Sequence, residues 1–191
     1  MAIKKVLLIS TGGTIAGNIA GNENQVDANT FSKLLNNVSK MVKNKWNIDL
    51  EVSAEDLEEN GKALNLDSSD ILPKHWRLLS NTVRENYDNY DAFVITHGTN
   101  TLGYTSAALS FAFENIDKPV ILTGSQVPMD FPGADAMMNL ENAIRVAIWP
   151  YDKIRGVIVV FGSRIISGTR VKKETEFDYD SFSSFSTVTT L

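Results

Sequence analysis

Cysteine is absent from the 191 residues, and histidine is scarce, since His75 and His97 are the two examples. A chain without cysteine has no disulfide framework, no thiol nucleophile and no thiolate ligand for zinc. Two histidines are too few for a conventional zinc site. The sequence therefore predicts no metal site, and nothing in its composition calls for a cofactor.

A surplus of basic residues and long apolar runs are also absent. The chain has 18 Lys and Arg residues against 23 Asp and Glu residues, a net charge of -5. A groove for nucleic acid needs the opposite balance, because it neutralises phosphates. No run approaches the roughly 20 apolar residues of a membrane span, and the first residues lack the cleavage site of a signal peptide. We expect a cytoplasmic protein that binds neither nucleic acid nor membrane.

Apolar runs of strand length alternate with helical patterns along the chain. This alternation is typical of an α/β fold, a doubly wound and mostly parallel sheet with helices on both faces. A length of 191 residues with 43% hydrophobic residues suits one domain over residues 1–191. The predicted strands are 3–9, 46–52, 93–96, 119–123 and 157–161. The predicted helices are 31–41, capped by Thr30, then 73–83, 104–113 and 134–148.

The last residues, 174–191, are rich in aromatic side chains, namely Phe177, Tyr179, Phe182 and Phe185. That is a large apolar surface for a free terminus. Two interpretations follow. The segment leads towards a further domain that the 191 residues do not include, or it forms a strand or arm that packs on its own domain.

Two predicted strands end in clusters of small polar residues. The first runs into residues 11–17, with the sequence TGGTIAG, and the third runs into residues 97–102, with the sequence HGTNTL. Parallel strands deliver such groups to the carboxyl edge of the sheet, where ligands bind in α/β folds. Each cluster contributes a threonine, Thr14 and Thr99, and we expect the chemistry at this edge.

The chemistry of the single residues leaves alternatives open. Thr14 is a nucleophile if a base removes its proton, or else an ordinary loop residue. His97 is a general base or a hydrogen-bonded support residue. Lys173 acts as a base only where burial or a neighbouring cation such as Lys172 disfavours its charged form, and otherwise the two form an exposed pair. The turn 11–17 lacks the lysine of a phosphate-binding loop.

Taken together, the segments 11–17 and 97–102 resemble the two signature segments of the bacterial-type L-asparaginase family. The similarity extends over nearly the whole chain. The matching segments are more similar to those of the cytoplasmic type I and archaeal members, and of the related subunit of the archaeal Glu-tRNA(Gln) amidotransferase, than to those of the periplasmic type. It continues through LDSSD at 66–70, YTSAALSF at 104–111, TGSQ at 123–126 and NL at 139–140.

The resemblance implies an amidohydrolase that converts L-asparagine to L-aspartate and ammonia without a cofactor. Thr14 is then the nucleophile, Thr99 is a second essential threonine, and Lys173 pairs with it. Ser68 holds the substrate α-carboxylate with Ser69 beside it. The substrate also meets Gly13, Gly98, Asn100 and the backbone around Ser125. Backbone N–H groups near Gly13 and Thr99 stabilise an oxyanion.

Three departures from the family pattern affect this expectation. Asn100 stands where the family has an aspartate that pairs with the substrate α-ammonium, and a neutral amide forgoes about 2 to 4 kcal/mol of such stabilisation. The predicted lid, residues 18–29, contains no tyrosine, and Asn24 or Gln25 is the nearest equivalent. Family members are also longer, with a C-terminal domain that completes a neighbouring active site.

Other functions fit the same residues. A catalytically silent domain would keep the fold to bind an amino acid or a partner protein, and an amidotransferase-type subunit would supply ammonia to a partner. If the resemblance extends to assembly, we expect a homo-oligomer or a complex with a separate chain that carries the C-terminal domain.

Overall fold

The computed structural model describes residues 2–12, 28–127, 131–151 and 153–185. Its central sheet has six strands, β1 Ala2–Ser10, β2 Ile48–Asp56, β5 Ala92–Thr96, β6 Pro119–Thr123, β7 Gly156–Phe161 and β8 Arg164–Ser167. Its helices are α1 Ala28–Trp46, α2 Pro73–Glu85, α3 Leu102–Ala112 and α4 Ala136–Ala147. Two small hairpins pair β3 Glu58–Glu59 with β4 Lys62–Ala63, and β9 Val171–Lys173 with β10 Phe182–Ser184.

The central sheet is mostly parallel, with the strand order β2-β1-β5-β6-β7-β8. The first four neighbouring pairs are parallel, and β8 alone runs antiparallel, against β7. The predicted α/β class with a mostly parallel sheet is therefore confirmed. β8 was not predicted, because a short hairpin partner at a sheet edge has no periodicity of its own.

Helices cover both faces of the sheet, because successive strand residues point to opposite sides. Val6 and Leu8 lie in a core with α1 and α4, whereas Leu7 and Ile9 lie in a second core with α2 and α3. The five residues of β5 are all buried, as are those of β6. Strands that are buried on both faces explain the continuous apolar runs of the sequence.

Two predicted boundaries near the amino-terminal half are wrong. Helix α1 begins at Ala28, so Thr30 lies inside the helix and not at the predicted N-cap position. Alanine is the strongest helix former, which favours the earlier start. Strand β2 begins at Ile48, after Trp46 has ended α1, and runs to Asp56 because its whole length pairs with β1. The acidic residues Glu55 and Asp56 therefore lie on an edge strand, where charged side chains oppose further pairing.

The carboxyl ends of β1, β5 and β6 lie side by side. In the register of the sheet, Thr96 is the partner of both Ser10 and Thr123. The N–H and hydroxyl of Thr11 both donate to the Thr96 carbonyl, at 3.2 and 3.0 Å. A Cβ at Gly124 would lie 2.4 Å from the His97 carbonyl oxygen, so a side chain would push these strand ends apart. The loops that follow the three strands therefore begin next to one another at the carboxyl edge of the sheet.

Part of the aromatic tail packs on the domain. Phe182 lies in β10, is 1% exposed, and has its ring centroid 4.8 Å from that of Phe161. For Phe182, this agrees with the interpretation that the tail forms a strand that packs on its own domain. Phe177, by contrast, is 92% exposed. That residues 174–191 lead towards a further domain stays a prediction. Within the described residues, no helix has the length and apolar character needed to cross a bilayer.

We expect Phe182→Ala to lower the free energy of unfolding by about 3 kcal/mol, because it removes a buried ring and leaves a cavity beside Phe161. Phe177→Ala, in the same segment, is the matched control and should change it by less than about 0.5 kcal/mol. Urea denaturation measures both. Equal losses in the two variants would contradict the packing of β10 on the sheet.

Candidate functional site

Lys173 joins two of the predicted site residues at the carboxyl edge of the sheet. Its Nζ lies 3.1 Å from Thr99 Oγ1 and 3.1 Å from Asn100 Oδ1, and it also contacts a carboxylate oxygen of Glu176. An ammonium group has three protons to donate, and these three acceptors match that number. The Lys173 side chain is only 14% exposed. Lys173 and its three partners therefore form a partly enclosed, charged site.

The interpretation of Lys172 and Lys173 as an exposed pair is wrong for Lys173. Neighbouring residues of a strand point to opposite faces. Lys172 turns to solvent and forms an ion pair with Glu174 at 3.1 Å, whereas Lys173 turns towards the end of β5. The two lysines thus have separate partners, and each can be changed without removing the contacts of the other.

Asn100 extends the cluster to Ser69. Lysine can only donate, so the Asn100 amide oxygen faces Lys173 and its Nδ2 donates to Ser69 Oγ at 3.3 Å. Ser69 lies in a 3-10 turn, Ser68–Asp70, whose first N–H groups are capped by Asp67. The backbone hydrogen bond from Ser69, at 2.8 Å, lowers the pKa of the Asp67 carboxyl below its usual value.

Ser68, the first residue of this turn, is buried where the turn meets the loop after β5. Thr101 Oγ1 donates to the Ser68 carbonyl oxygen at 2.5 Å. A Cβ at Gly98 would lie 2.8 Å from both the Cβ and the Oγ of Ser68, so glycine is required for this close approach. The segments 66–70 and 97–102, far apart in sequence, therefore form one continuous surface.

His97 lies outside the cluster of Lys173, Thr99 and Asn100. It is buried, and its Nε2 lies 2.9 Å from Thr105 Oγ1, which also accepts a hydrogen bond from Trp76 Nε1 at 2.9 Å. Its Nδ1 lies 2.7 Å from the Gly98 carbonyl oxygen, which can only accept, so Nδ1 carries the proton. With both ring nitrogens engaged, the arrangement favours a support residue over a general base.

Burial sets the charge state of this histidine. Loss of hydration disfavours the imidazolium and lowers the pKa of His97 to about 4, although the hydrogen bond to Gly98 acts in the opposite direction. The imidazole is therefore neutral near pH 7. The neutral ring thus holds the Gly98 carbonyl through its Nδ1 proton without placing a charge in the protein interior.

The loop after β6 depends on a buried carboxylate that the sequence analysis did not single out. Asp135 accepts hydrogen bonds from the N–H groups of Gln126, at 3.1 Å, and of Val127, at 3.0 Å, and from Asn139 Nδ2 at 2.9 Å. Ser125, at the start of this loop, is buried. Asp135 has no recognisable signal in the sequence, because its partners come from a loop and the next turn of α4.

Several predicted site residues lie outside the described residues. These are Gly13, Thr14 and residues 18–27 of the predicted lid, with Asn24 and Gln25. Thr11 and Gly12, which precede Gly13, are described. They contact Leu66, just before the 3-10 turn Ser68–Asp70, which we call the serine turn. Leu66 N donates to the Thr11 carbonyl at 3.1 Å, and a Cβ at Gly12, whose φ is +108°, would lie 2.3 Å from Leu66 N. Within the described residues, no cluster of His, Asp and Glu can hold a metal ion.

We expect the neutral His97 to make the protein less stable in acid. The unfolded chain binds a proton near pH 6.5 and the folded chain only near pH 4. Stability therefore falls as the pH falls from about 6.5 to about 4, by about 3 kcal/mol for this group. Urea denaturation of the wild-type protein and of His97→Gln should show a smaller pH slope in the variant.

An NMR titration checks the same prediction directly. The chain has two histidines, so His75→Gln assigns the ring signals of His97. These signals should not titrate between pH 5 and pH 8, and a midpoint near 6.5 would contradict the buried, neutral ring.

Comparison with known proteins extends these observations. The family model for the asparaginase N-terminal domain matches residues 5–190. L-asparaginase 1 of Escherichia coli K12 is 43% identical over 120 residues, which are 62% of this chain and 35% of that protein. L-asparaginase of Thermococcus kodakarensis is 44% identical over 126 residues, 66% of this chain and 38% of that protein. A subunit of the glutamyl-tRNA(Gln) amidotransferase of Methanococcus vannielii is 33% identical over 192 residues, 95% of this chain and 41% of that protein.

Solved structures agree. The thermostable L-asparaginase of Thermococcus kodakarensis superposes with a TM-score of 0.72 at 36% identity, covering 94% of this chain and 51% of that one. A probable cytoplasmic L-asparaginase of Campylobacter jejuni superposes with a TM-score of 0.75 at 28% identity, covering 95% and 51%. The chain thus spans about half the length of these structures. It belongs to the asparaginase family and corresponds to the N-terminal domain of its members.

Proposed function

We propose that this chain is the N-terminal domain of an L-asparaginase-type amidohydrolase of the cytoplasm, which releases ammonia from the side-chain amide of L-asparagine. The observation that carries the proposal is the 3.1 Å contact between Lys173 Nζ and Thr99 Oγ1 at the carboxyl edge of the sheet. A hydroxyl beside an ammonium loses its proton more readily than an isolated one, because the positive charge stabilises the alkoxide.

In the proposed reaction, Thr14 Oγ adds to the carboxamide carbon, and its proton passes by way of Thr99 to the amide nitrogen. The C–N bond then breaks, and the nitrogen departs as ammonia after it has gained a proton. Water adds to the resulting ester and releases L-aspartate, so one difficult step becomes two acyl transfers. Thr99 and Lys173 move the protons, and N–H groups near Gly13 and Thr99 stabilise the oxyanion. For Thr14 and Gly13, these roles rest on the family resemblance.

The serine turn suits the α-carboxylate of the substrate. Ser69 Oγ already accepts a hydrogen bond from Asn100 Nδ2, so its own hydroxyl proton is available to donate. Ser68 lies beside it, against Gly98. We assign the two serines to the carboxylate, Asn100 and Gly98 to the adjoining part of the substrate, and the backbone around Ser125 to its amide.

We expect Asn100→Asp to raise kcat/KM for ammonia release from L-asparagine about tenfold, because a carboxylate would attract the substrate α-ammonium. The gain is smaller than a buried charge would give, since Asn100 is exposed and water screens the interaction. Asn81→Asp adds the same charge on an exposed position of α2 and serves as the control. Equal kinetics for both variants would contradict a role of residue 100 in substrate binding.

We expect Lys173→Met to reduce ammonia release at least about 100-fold, because it removes the cation beside Thr99. Lys172→Met is a close control, since Lys172 is the neighbouring residue and pairs with Glu174 at the surface. Circular dichroism should show that both variants remain folded. Comparable activity in the two variants would exclude Lys173 from the reaction.

Two other functions each have an observation in their favour. The 33% identity to an amidotransferase component over 95% of this chain favours a protein that supplies ammonia to a partner. The neutral Asn100 favours a silent domain that binds an amino acid or a protein. Either the asparaginase or the amidotransferase component would act as a homo-oligomer or with a separate chain that carries a C-terminal domain.

Ammonia release should therefore be measured from L-asparagine and from L-glutamine, with this chain alone and with a separately produced C-terminal domain. Release from L-asparagine supports the main proposal, and release from L-glutamine alone supports the amidotransferase-type subunit. No release in any mixture, together with calorimetric binding of L-aspartate, would favour the silent domain.

A further inference from the structure

Lys173 has two neutral partners and one charged partner. Thr99 and Asn100 offer uncharged oxygens at 3.1 Å, whereas Glu176 offers a carboxylate. Because Lys173 is only 14% exposed, little water is left to stabilise its charge. Two neutral acceptors compensate for lost hydration less well than a carboxylate does, since charge-assisted hydrogen bonds are about twice as strong.

We propose that Glu176 is a positioning residue for Lys173. Its carboxylate supplies the negative charge that Asn100 lacks, and it holds the ammonium against Thr99. The proposal deepens the proposed function and rests on it for its catalytic consequence. Glu176 lies only three residues after Lys173, so the same short segment carries the cation and its counter-ion.

The backbone around Glu176 is ordered by hydrogen bonds, which separates this contact from a chance surface pair. Thr175 Oγ1 accepts from the N–H groups of Phe177, at 3.0 Å, and Asp178, at 3.1 Å, and so forms a tight turn around Glu176. Gln126 Nε2 donates to the Thr175 carbonyl at 3.4 Å. That bond connects the turn to the loop after β6. Both ends of the Lys173–Glu176 contact are therefore placed by the fold.

The position of the charge has a chemical consequence. Glu176 is 64% exposed, and its carboxylate accepts a hydrogen bond from Lys173 Nζ. The Glu176 carboxylate orients the Lys173 ammonium, and Asn100 Nδ2 meanwhile keeps its hydrogen bond to Ser69 Oγ. A carboxylate at residue 100 would replace the neutral Asn100 acceptor of Lys173 with a charged one. The two carboxylate positions are thus alternative means of fixing one lysine.

The experiment compares Glu176→Gln in two backgrounds, the wild-type protein and Asn100→Asp, with ammonia release from L-asparagine as the measurement. In the wild-type background, we expect kcat to fall about three- to tenfold with little change in KM. In the Asn100→Asp background, we expect less than about a twofold change, because the carboxylate introduced at residue 100 fixes the lysine. Equal losses in both backgrounds, or no loss in the wild-type background, would overturn the proposal.

Glu174→Gln is the matched control. Glu174 lies two residues away, carries the same charge, and pairs with Lys172 rather than with Lys173. It should leave kcat unchanged in both backgrounds. A loss equal to that of Glu176→Gln would mean that the net charge of the segment matters and the contact with Lys173 does not.

A stability cycle tests the contact without any activity. Glu176→Gln should lower the unfolding midpoint of the wild-type protein but not that of Lys173→Met, where its partner is already gone. If this coupling is present but no variant releases ammonia, then the contact stands and the proposed function fails. If the coupling is absent, Glu176 does not hold Lys173, whatever the activity of the protein.

Discussion

The parallel register of β1, β5 and β6 is the constraint on which the site depends. The Thr96 carbonyl accepts two hydrogen bonds from Thr11, and the Thr123 carbonyl accepts one from His97 at 2.9 Å. A slip of one residue in any of these strands would exchange its two faces and move the loop that follows it by about 3 Å. The apolar faces of both cores oppose such a slip. Hydrophobic packing beneath the sheet therefore fixes the positions of polar groups at its edge.

The site has two polar networks of different charge. Around His97, the Trp76 N–H, the Thr105 hydroxyl and the Gly98 carbonyl form a buried network with no formal charge. Around Lys173, the network is charged and partly open to water. The low pKa of His97 keeps the first network neutral near pH 7, because burial disfavours the imidazolium. The two networks thus include neighbouring residues of one loop, Gly98 in the first and Thr99 in the second, and the charge is confined to the second.

The sequence predicted the central strands well because they are buried on both faces. Strand β6 matches the predicted 119–123, and β7 differs from 157–161 by one residue. Both runs are apolar and rich in β-branched residues, which indicates a buried strand, and the glycine that follows each run indicates where the strand ends. By contrast, β9 and β10 have three residues each and take their form from pairing with each other, which no local pattern indicates.

The candidate site was predictable in its residue types but not in its contacts. Thr99, Asn100 and the serine turn stand in recognisable segments, whereas the environment of Lys173 depends on which face of β9 turns inward. Glu176 had no signal, because an acidic residue three positions after a lysine is common on surfaces. Its role arises only where the chain folds back and leaves the lysine 14% exposed. Tertiary burial, rather than sequence, decides that this ion pair differs from its neighbour at Lys172.

An exposed counter-ion has physical properties that a buried one lacks. The hydration that Glu176 keeps lowers the desolvation free energy of the pair, but it also weakens the attraction, because water and salt screen it. A carboxylate at residue 100 would lie nearer Thr99 and would interact with the substrate as well as with the lysine. If residue 100 faces the substrate as we propose, the charge on Glu176 separates the orientation of Lys173 from substrate binding. On these proposed roles, a domain of this family keeps the lysine in place while a group that faces the substrate changes from charged to neutral.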